Sequence, residues 1–304
     1  MEKPIYLLRR AFIIFMAALM LTLTMAGCTN TEIPEEPPVT DPSTPTTEVT
    51  TEATTEATTT EPPVTEPPLP DPLEKYNEYY EQNNDFIGWL TIPELVNSHG
   101  EPYIDYPIVQ AKDNSFYLDK DFDKKKDEGG WIYADFKVPI TAENQADNIT
   151  LYGHSMRDGS FFRHILDYKS SSKGVDLINK AYVIDFDTRW EESRYVIVSA
   201  FLIGIYDWQD EDEELFEYFK VRNIDSQEEF DYFYDNIMLR SYYNSGVECE
   251  YGDEFLTLST CAYDFDNSRF VVVARKVREG EDIEQYAGTY EKNRDKHMPS
   301  ILDD

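Results

Sequence analysis

Residues 256–275 read LTLSTCAYDFDNSRFVVVAR, and the rest of the chain is legible outward from them. Two apolar runs, Phe255-Leu256-Thr257-Leu258 and Phe270-Val271-Val272-Val273-Ala274, flank a polar connection. That is the pattern of two buried strands joined by a loop. Cys261 stands where the first strand runs out, and Arg269 stands where the second begins. A strand end is a stiff mount for a nucleophile. An Arg on the neighbouring strand end can face it with a charge that no working pH removes. A small buried Cys beside a surface Arg is the alternative. The polar setting of Cys261 (Ser259, Thr260, Asp264, Asp266, Asn267) weighs against it.

The 304 residues carry 60 Asp and Glu against 27 Lys and Arg, a net charge of -33. No sizeable basic surface can be assembled from them, which excludes sequence-independent nucleic-acid binding. The 22 Tyr and 17 Phe suit a β-rich core. Three Cys make no disulfide framework, and four His without paired Cys or HExxH spacing make no zinc site.

Residues 1–28 have the form of an export signal. Lys3, Arg9 and Arg10 precede an apolar stretch, Ala11 to Met25, that is short for a membrane span. It ends Met25-Ala26-Gly27-Cys28, which resembles the lipobox of bacterial lipoproteins and makes Cys28 a candidate for lipidation; an uncleaved signal anchor is the alternative. Either places the remainder outside the membrane. Residues 29–72 are Thr, Glu and Pro with little to bury, so a disordered linker is expected. At ~3 Å per residue it reaches on the order of 100 Å.

A folded domain is expected over 73–279, and a weakly ordered or partly helical charged tail over 280–304. The spacing predicts a helix over Leu73–Asn84, a helical turn at Asn114–Leu118, and helices over Ser160–Tyr168, Glu211–Arg222 and Ser226–Tyr243. The last opens with Ser226 and Glu229 in capping-box spacing. Strands are predicted at Phe86–Ile92, Tyr103–Val109 (an edge or a bulge, given Pro107), Trp131–Phe136, Asn148–Tyr152, Lys180–Asp185 and Arg194–Ile205. Many short strands with late helices point to a mainly β fold, a barrel with added helices.

A thiol nucleophile needs a proton partner. His297 lies in the charged tail, His99 in a Gly/Pro-rich loop and His164 inside a predicted helix. His154 follows the strand Ile149-Thr150-Leu151-Tyr152 and Gly153, again at a strand end.

Several motifs, in order, carry a resemblance. Asn148 to Met156 (NITLYGHSM) with Asp158-Gly159-Ser160-Phe161-Phe162 resembles the histidine motif of class B sortases. Thr257 to Cys261 and Asn267 to Arg275 resemble that family's cysteine and arginine motifs. Phe86 to Leu90, Tyr106 to Gln110 and Asp113 to Leu118 are similar to its N-terminal part. The resemblance implies a closed sortase-like β-barrel with an N-terminal helix and a long helical insertion before the cysteine strand. It implies a transpeptidase that cleaves a C-terminal sorting signal of Asn-Pro-x-Thr type after Thr, through a Cys thioester. An amine of a peptidoglycan precursor, a pilin or another surface protein would resolve that thioester. Carried over by motif, Cys261 is the nucleophile, His154 the general acid/base and Arg269 the oxyanion partner. Asn114, Leu118, Tyr152, Ser259 and Thr260 match positions lining the substrate groove. No cofactor, metal or nucleic acid is implied. The expected place is the outer face of the cell membrane, anchored through the N-terminus.

Cys249 has no evident partner in sequence, and a Cys249–Cys261 disulfide would silence such an enzyme. Two rivals remain at this level, a Cys–His cell-wall peptide hydrolase and a non-enzymatic surface lipoprotein. Papain-like hydrolases place the Cys early, at a helix N-terminus with the His downstream, the reverse of the order here.

Overall fold

The apolar runs pair into one closed barrel in a computed structural model, which describes residues 68–303. The leader expected over 1–28, with Cys28, and most of the linker over 29–72 lie outside the described residues. In chain order the barrel strands are β1 (Phe86–Thr91), β2 (Asp105–Val109), β3 (Tyr133–Ala134), β4 (Asn148–Tyr152), β5 (Val183–Thr188) and β6 (Arg194–Ile203). A two-residue strand, β7 (Tyr243–Asn244), precedes β8 (Phe255–Cys261) and β9 (Arg269–Lys276). Around the ring the order is β1-β2-β3-β4-β8-β9-β6-β5, and β5 returns to β1. The β2–β3 and β4–β8 pairings are parallel; the others in the ring are antiparallel. The ring closes, though the stretch of β2 before Val109 has no second strand neighbour.

β6 is buried from Tyr195 to Ile203 without alternation, because both of its faces are covered. Helix α3 (Gln227–Arg240), which follows the two short helices α1 (Asn77–Gln82) and α2 (Gly174–Ile178), lies on its outer face. Phe230, Phe233 and Ile237 are buried there, each worth roughly 2 kcal/mol in removed apolar surface. The buried Ser199 hydroxyl of β6 donates to Ile237 O at 2.7 Å. Ser226 caps α3 by accepting from Glu229 N, while the Glu229 carboxylate reaches back to Asp225 N at 2.8 Å. Pro107 sits in β2 opposite Trp89, and β3 meets β2 only at Val109 and Tyr133. Most of β2 is therefore bonded on one side only, where a residue lacking N–H is tolerated. The irregularity of that pairing lies in β1, between Phe86 and Gly88.

Several segments differ from expectation: the strand expected over Trp131–Phe136 is only Tyr133–Ala134, and the one expected over Lys180–Asp185 runs Val183–Thr188. Glu211–Arg222 is not helical apart from a 3-10 turn at Tyr218–Lys220. Phe216 and Tyr218 are both buried, an alternating spacing that a helix would split between faces, and the acids Glu211, Asp212, Glu213 and Glu214 repel along a helix. The segment Phe162–Lys169 is helical but wound as 3-10. Beyond Glu279 the chain is partly helical, with 3-10 turns at Ile283–Tyr286 and Ser300–Leu302, but it packs into the domain rather than trailing from it. Tyr286 and Tyr290 are buried, the strand β10 (Glu291–Lys292) pairs with β7, and His297 Nε2 binds the Asp210 carboxylate at 2.7 Å. Polar anchors hold this segment, so no apolar periodicity announces it.

Part of that anchoring is an ion pair beneath the barrel's end. The Arg275 guanidinium, fully buried, donates to Glu281 at 2.9 and 2.5 Å, and Tyr286 OH donates to the same carboxylate at 2.7 Å. The Arg275 bond holds the Glu281 carboxyl down at about 2, against 4.5 when free. A depressed carboxyl contributes stability that is complete above its unfolded value and lost as pH falls toward its folded one. Between pH ~4.5 and ~2 the domain should therefore lose on the order of 2–3 kcal/mol from this group, solvent screening allowed for. In urea unfolding at pH 7, Glu281→Gln should cost about 3 kcal/mol by stranding a buried cation, and should flatten that acid limb. An unchanged midpoint would contradict this account of the tail.

Cys249 and Cys261 both remain thiols, and the silencing disulfide is absent. Burial pushes the Cys249 thiol up to about 12, with the neighbouring Arg275 pulling the other way. At pH 8 in the native state Cys249 should resist iodoacetamide, and denaturant should release it. Native labelling of Cys249 at the rate of an exposed thiol would contradict the burial.

Candidate active site

β8 is the shared wall of the site. Its antiparallel register with β9 ends on the pair Cys261 and Arg269. Its parallel register with β4 runs to Tyr152 beside Ser259. Past that point the two chains stay tied, since Gly153 N donates to Ser259 O at 3.2 Å and the Thr260 hydroxyl donates to Gly153 O at 2.7 Å. His154, one residue further along, is thereby carried to the strand end that holds Cys261. Adjacent strands run about 4.8 Å apart, so three strand ends bring thiol, imidazole and guanidinium into one neighbourhood. All three residues are half-buried.

The other histidines are engaged elsewhere. His164 stacks on Tyr103 at 3.5 Å and pairs with Asp167, His297 holds Asp210, and His99 is exposed in its loop.

The histidine loop is fixed from inside the domain. Phe162 N donates to His154 O at 2.9 Å, and Ser155 bridges to Phe161. Gly153 is required by contact, because a Cβ there would stand 2.7 Å from the Phe162 ring. The imidazole Nε2 lies 3.1 Å from Leu118 O. A carbonyl only accepts, so Nε2 carries a proton, and a neutral ring in this orientation would have its lone pair on Nδ1.

Arg269 donates from Nη1 to Ser268 O at 3.1 Å. Its charge and the Cys261 sulfur both bear on the Tyr133 and Tyr218 hydroxyls, in opposite senses, so both groups lie within electrostatic reach of the same two phenols. Burial is the main reason both phenols, with Tyr152, titrate above the ordinary tyrosine range and stay protonated.

The remaining groove candidates divide. Leu118 adjoins His154 through its carbonyl. Asn114 donates to the Asp135 carboxylate at 3.0 Å and accepts from Phe136 N at 3.0 Å, and Tyr152 OH donates to the same Asp135 oxygen at 3.1 Å. Ser259 and Thr260 are each 2% exposed, with hydroxyls committed to Tyr218 OH and Gly153 O. Each side chain is turned toward a neighbouring strand or ring. Asp135, buried and faced at 3.6 Å by Arg222 Nε, ties Asn114 and Tyr152 together. A lone Asp after a short strand gives no sign of that role in sequence. Among the described residues no cluster of three or more His, Cys, Asp or Glu is placed to hold a metal.

No family model matches the chain. Sortase B of Listeria monocytogenes is 28% identical over 197 residues, 64% of this chain and 71% of that one. The X-ray structure of Clostridium perfringens sortase B superposes with a TM-score of 0.54 at 28% identity, covering 66% of this chain and 98% of that one. A Staphylococcus aureus sortase B–substrate complex gives 0.56 at 26%, over 68% and 86%. A sortase B complexed with triglycine gives 0.56 at 25%, over 68% and 86%. The shared architecture is the closed mixed barrel described above. The chain is a homologue of sortase B in sequence and in fold, and that homology implies a cysteine transpeptidase.

Proposed function

We propose that this transpeptidase cleaves a C-terminal sorting signal after Thr and passes the acyl group to an amine, with Cys261, His154 and Arg269 as its reacting groups. The observation that carries the reading is the pair of registers on β8, which brings the ends of β4 and β9 to Cys261. Cys261 passes its thiol proton to His154 Nδ1 as Sγ attacks the threonyl carbonyl carbon, and the developing oxyanion meets the Arg269 guanidinium. His154 protonates the departing amide nitrogen, and a thioester remains on Cys261. An incoming amine then attacks that carbonyl and gives up a proton to His154, and the departing Cys261 sulfur takes that proton back, restoring the thiol. With Nε2–H engaged by Leu118 O, Nδ1 is the ring atom left to carry these protons.

A relative solved with substrate and another solved with triglycine support a peptide donor and an amine acceptor. The Asn-Pro-x-Thr form of the signal follows the family resemblance. So does an acceptor on a peptidoglycan precursor or a pilin. Residues 1–28 would anchor the enzyme to the outer face of the membrane, through lipid on Cys28 or as a signal anchor. Residues 29–72 would space the domain at 73–279, with its tail at 280–304, away from the lipid surface.

With an Asn-Pro-x-Thr peptide and hydroxylamine as acceptor, wild type should release the fragment ending in threonyl hydroxamate. Cys261→Ala should lose about 10³-fold or more, and His154→Ala and Arg269→Ala about 10²–10³-fold in kcat. Turnover by Cys261→Ala at the wild-type rate would refute the assignment. Replacing hydroxylamine by triglycine should shift the product to the glycyl amide.

A further inference from the structure

The connection Ala262–Ser268, between the two residues that must face each other, is held in shape by groups outside the barrel. It turns from β8 into β9 with Tyr263 and Asn267 both at positive φ, 62° and 61°. Left-handed backbone is tolerated by Asn but disfavoured for Tyr, and persists where surrounding contacts impose it. At its base the loop closes on itself, Ala262 N donating to Ser268 O at 3.1 Å and Ser268 Oγ to Phe265 O at 2.8 Å. Two side chains from distant segments then grip its outer side.

Lys169 ends the 3-10 helix Phe162–Lys169. Its ammonium donates to Ala262 O at 3.1 Å and to the Asp264 carboxylate. The same helix begins at Phe162, which holds the carbonyl of His154. One short rod thus touches the histidine loop at one end and the residue after Cys261 at the other. Gln209, fully buried, donates from Nε2 to Asp266 O at 2.6 Å, and its Oε1 accepts from Ile205 N and Tyr206 N at 2.8 and 3.0 Å. A Cβ on Gly204 would come 2.6 Å from that oxygen, so glycine permits the approach. The segment carrying Gln209 leaves β6 just after Ile203, the residue in register with Arg269. Only an amide fits this position: Glu lacks the donor for Asp266 O, and Lys lacks the acceptor for the two backbone N–H groups.

We propose that Lys169 and Gln209 are positioning residues for the transfer reaction, bracing the Ala262–Ser268 loop so that Cys261 and Arg269 meet the same acyl carbonyl. This rests on the roles proposed for Cys261 and Arg269. Neither residue reaches the reacting atoms; each acts through the loop backbone. A small displacement of a reacting group costs rate far more than it costs binding.

The test compares Lys169→Met, Lys169→Arg and Gln209→Glu in the full chain. It reads kcat and KM for peptide transfer, and the pH profile of Cys261 alkylation followed by mass spectrometry of its peptide. Lys169→Met and Gln209→Glu should each lower kcat roughly tenfold, with KM changed less than about twofold. Both should also move the alkylation profile, and Lys169→Arg should recover most of the loss. Lys169 is only half-buried, so Lys169→Met decides the question even where Gln209→Glu does not fold. Wild-type kcat and an unmoved profile in a folded Lys169→Met chain would overturn the proposal. If wild type itself transfers no peptide, the reaction assigned above fails, while the alkylation profile still decides whether the brace acts on Cys261.

Discussion

Cross-strand hydrogen bonding fixes the register of β8 on two sides at once, with β4 parallel and β9 antiparallel, and the shared neighbourhood of Cys261, His154 and Arg269 follows from it. Side chains alternate along a strand, so a slip of one residue in either pairing would turn Cys261 to the other face of the wall. The apolar run along β8 guards against that slip. Phe255, Leu256 and Leu258 are buried with Val271, Val272 and Val273 of β9, and a shifted register would expose part of this set. Core packing and site geometry are in this sense one constraint, with the energy in the strand bodies and the chemistry at their ends.

Charge is distributed to match. The chain carries a large excess of acid, yet the end of the barrel bearing Cys261 receives Arg269 directly and Lys169 one residue beyond. The tyrosines that feel Arg269 and Cys261 stay protonated, so they offer dipoles without adding negative charge. The buried carboxylate of Asp135 is met by Asn114, Tyr152 and Arg222. An anion forming on a substrate carbonyl would therefore meet fixed donors in a partly water-excluded setting, where such interactions are strongest.

The strand bodies are legible in sequence because β-branched and aromatic runs bounded by polar turns have few other solutions. Asn148–Tyr152 and the start of Arg194–Ile203 stand where the pattern puts them. Helix α3 announces itself through Ser226, Glu229 and the Phe230–Phe233–Ile237 face. Glu211–Arg222 reads as a helix only while the burial of its two large aromatics, two residues apart, is unknown. The tail hides its order in pairings such as Arg275 with Glu281 and His297 with Asp210, where single charged residues carry no period. Lys169 and Gln209 are illegible for a related reason: they bind backbone carbonyls 93 and 57 residues away, and carbonyls leave no mark in a sequence. Cys261 and Arg269 are legible as strand ends, and His154 by the weakness of the other histidines as partners.

The central claim is that one thiol takes the acyl group, and its covalent intermediate can be weighed. Brief incubation with an Asn-Pro-x-Thr peptide in the absence of any added amine, followed by acid quenching and peptide mapping, should find the N-terminal fragment through Thr attached to the peptide containing Cys261. It should vanish on adding hydroxylamine. An adduct on any other residue, or none while cleavage proceeds, would contradict the account.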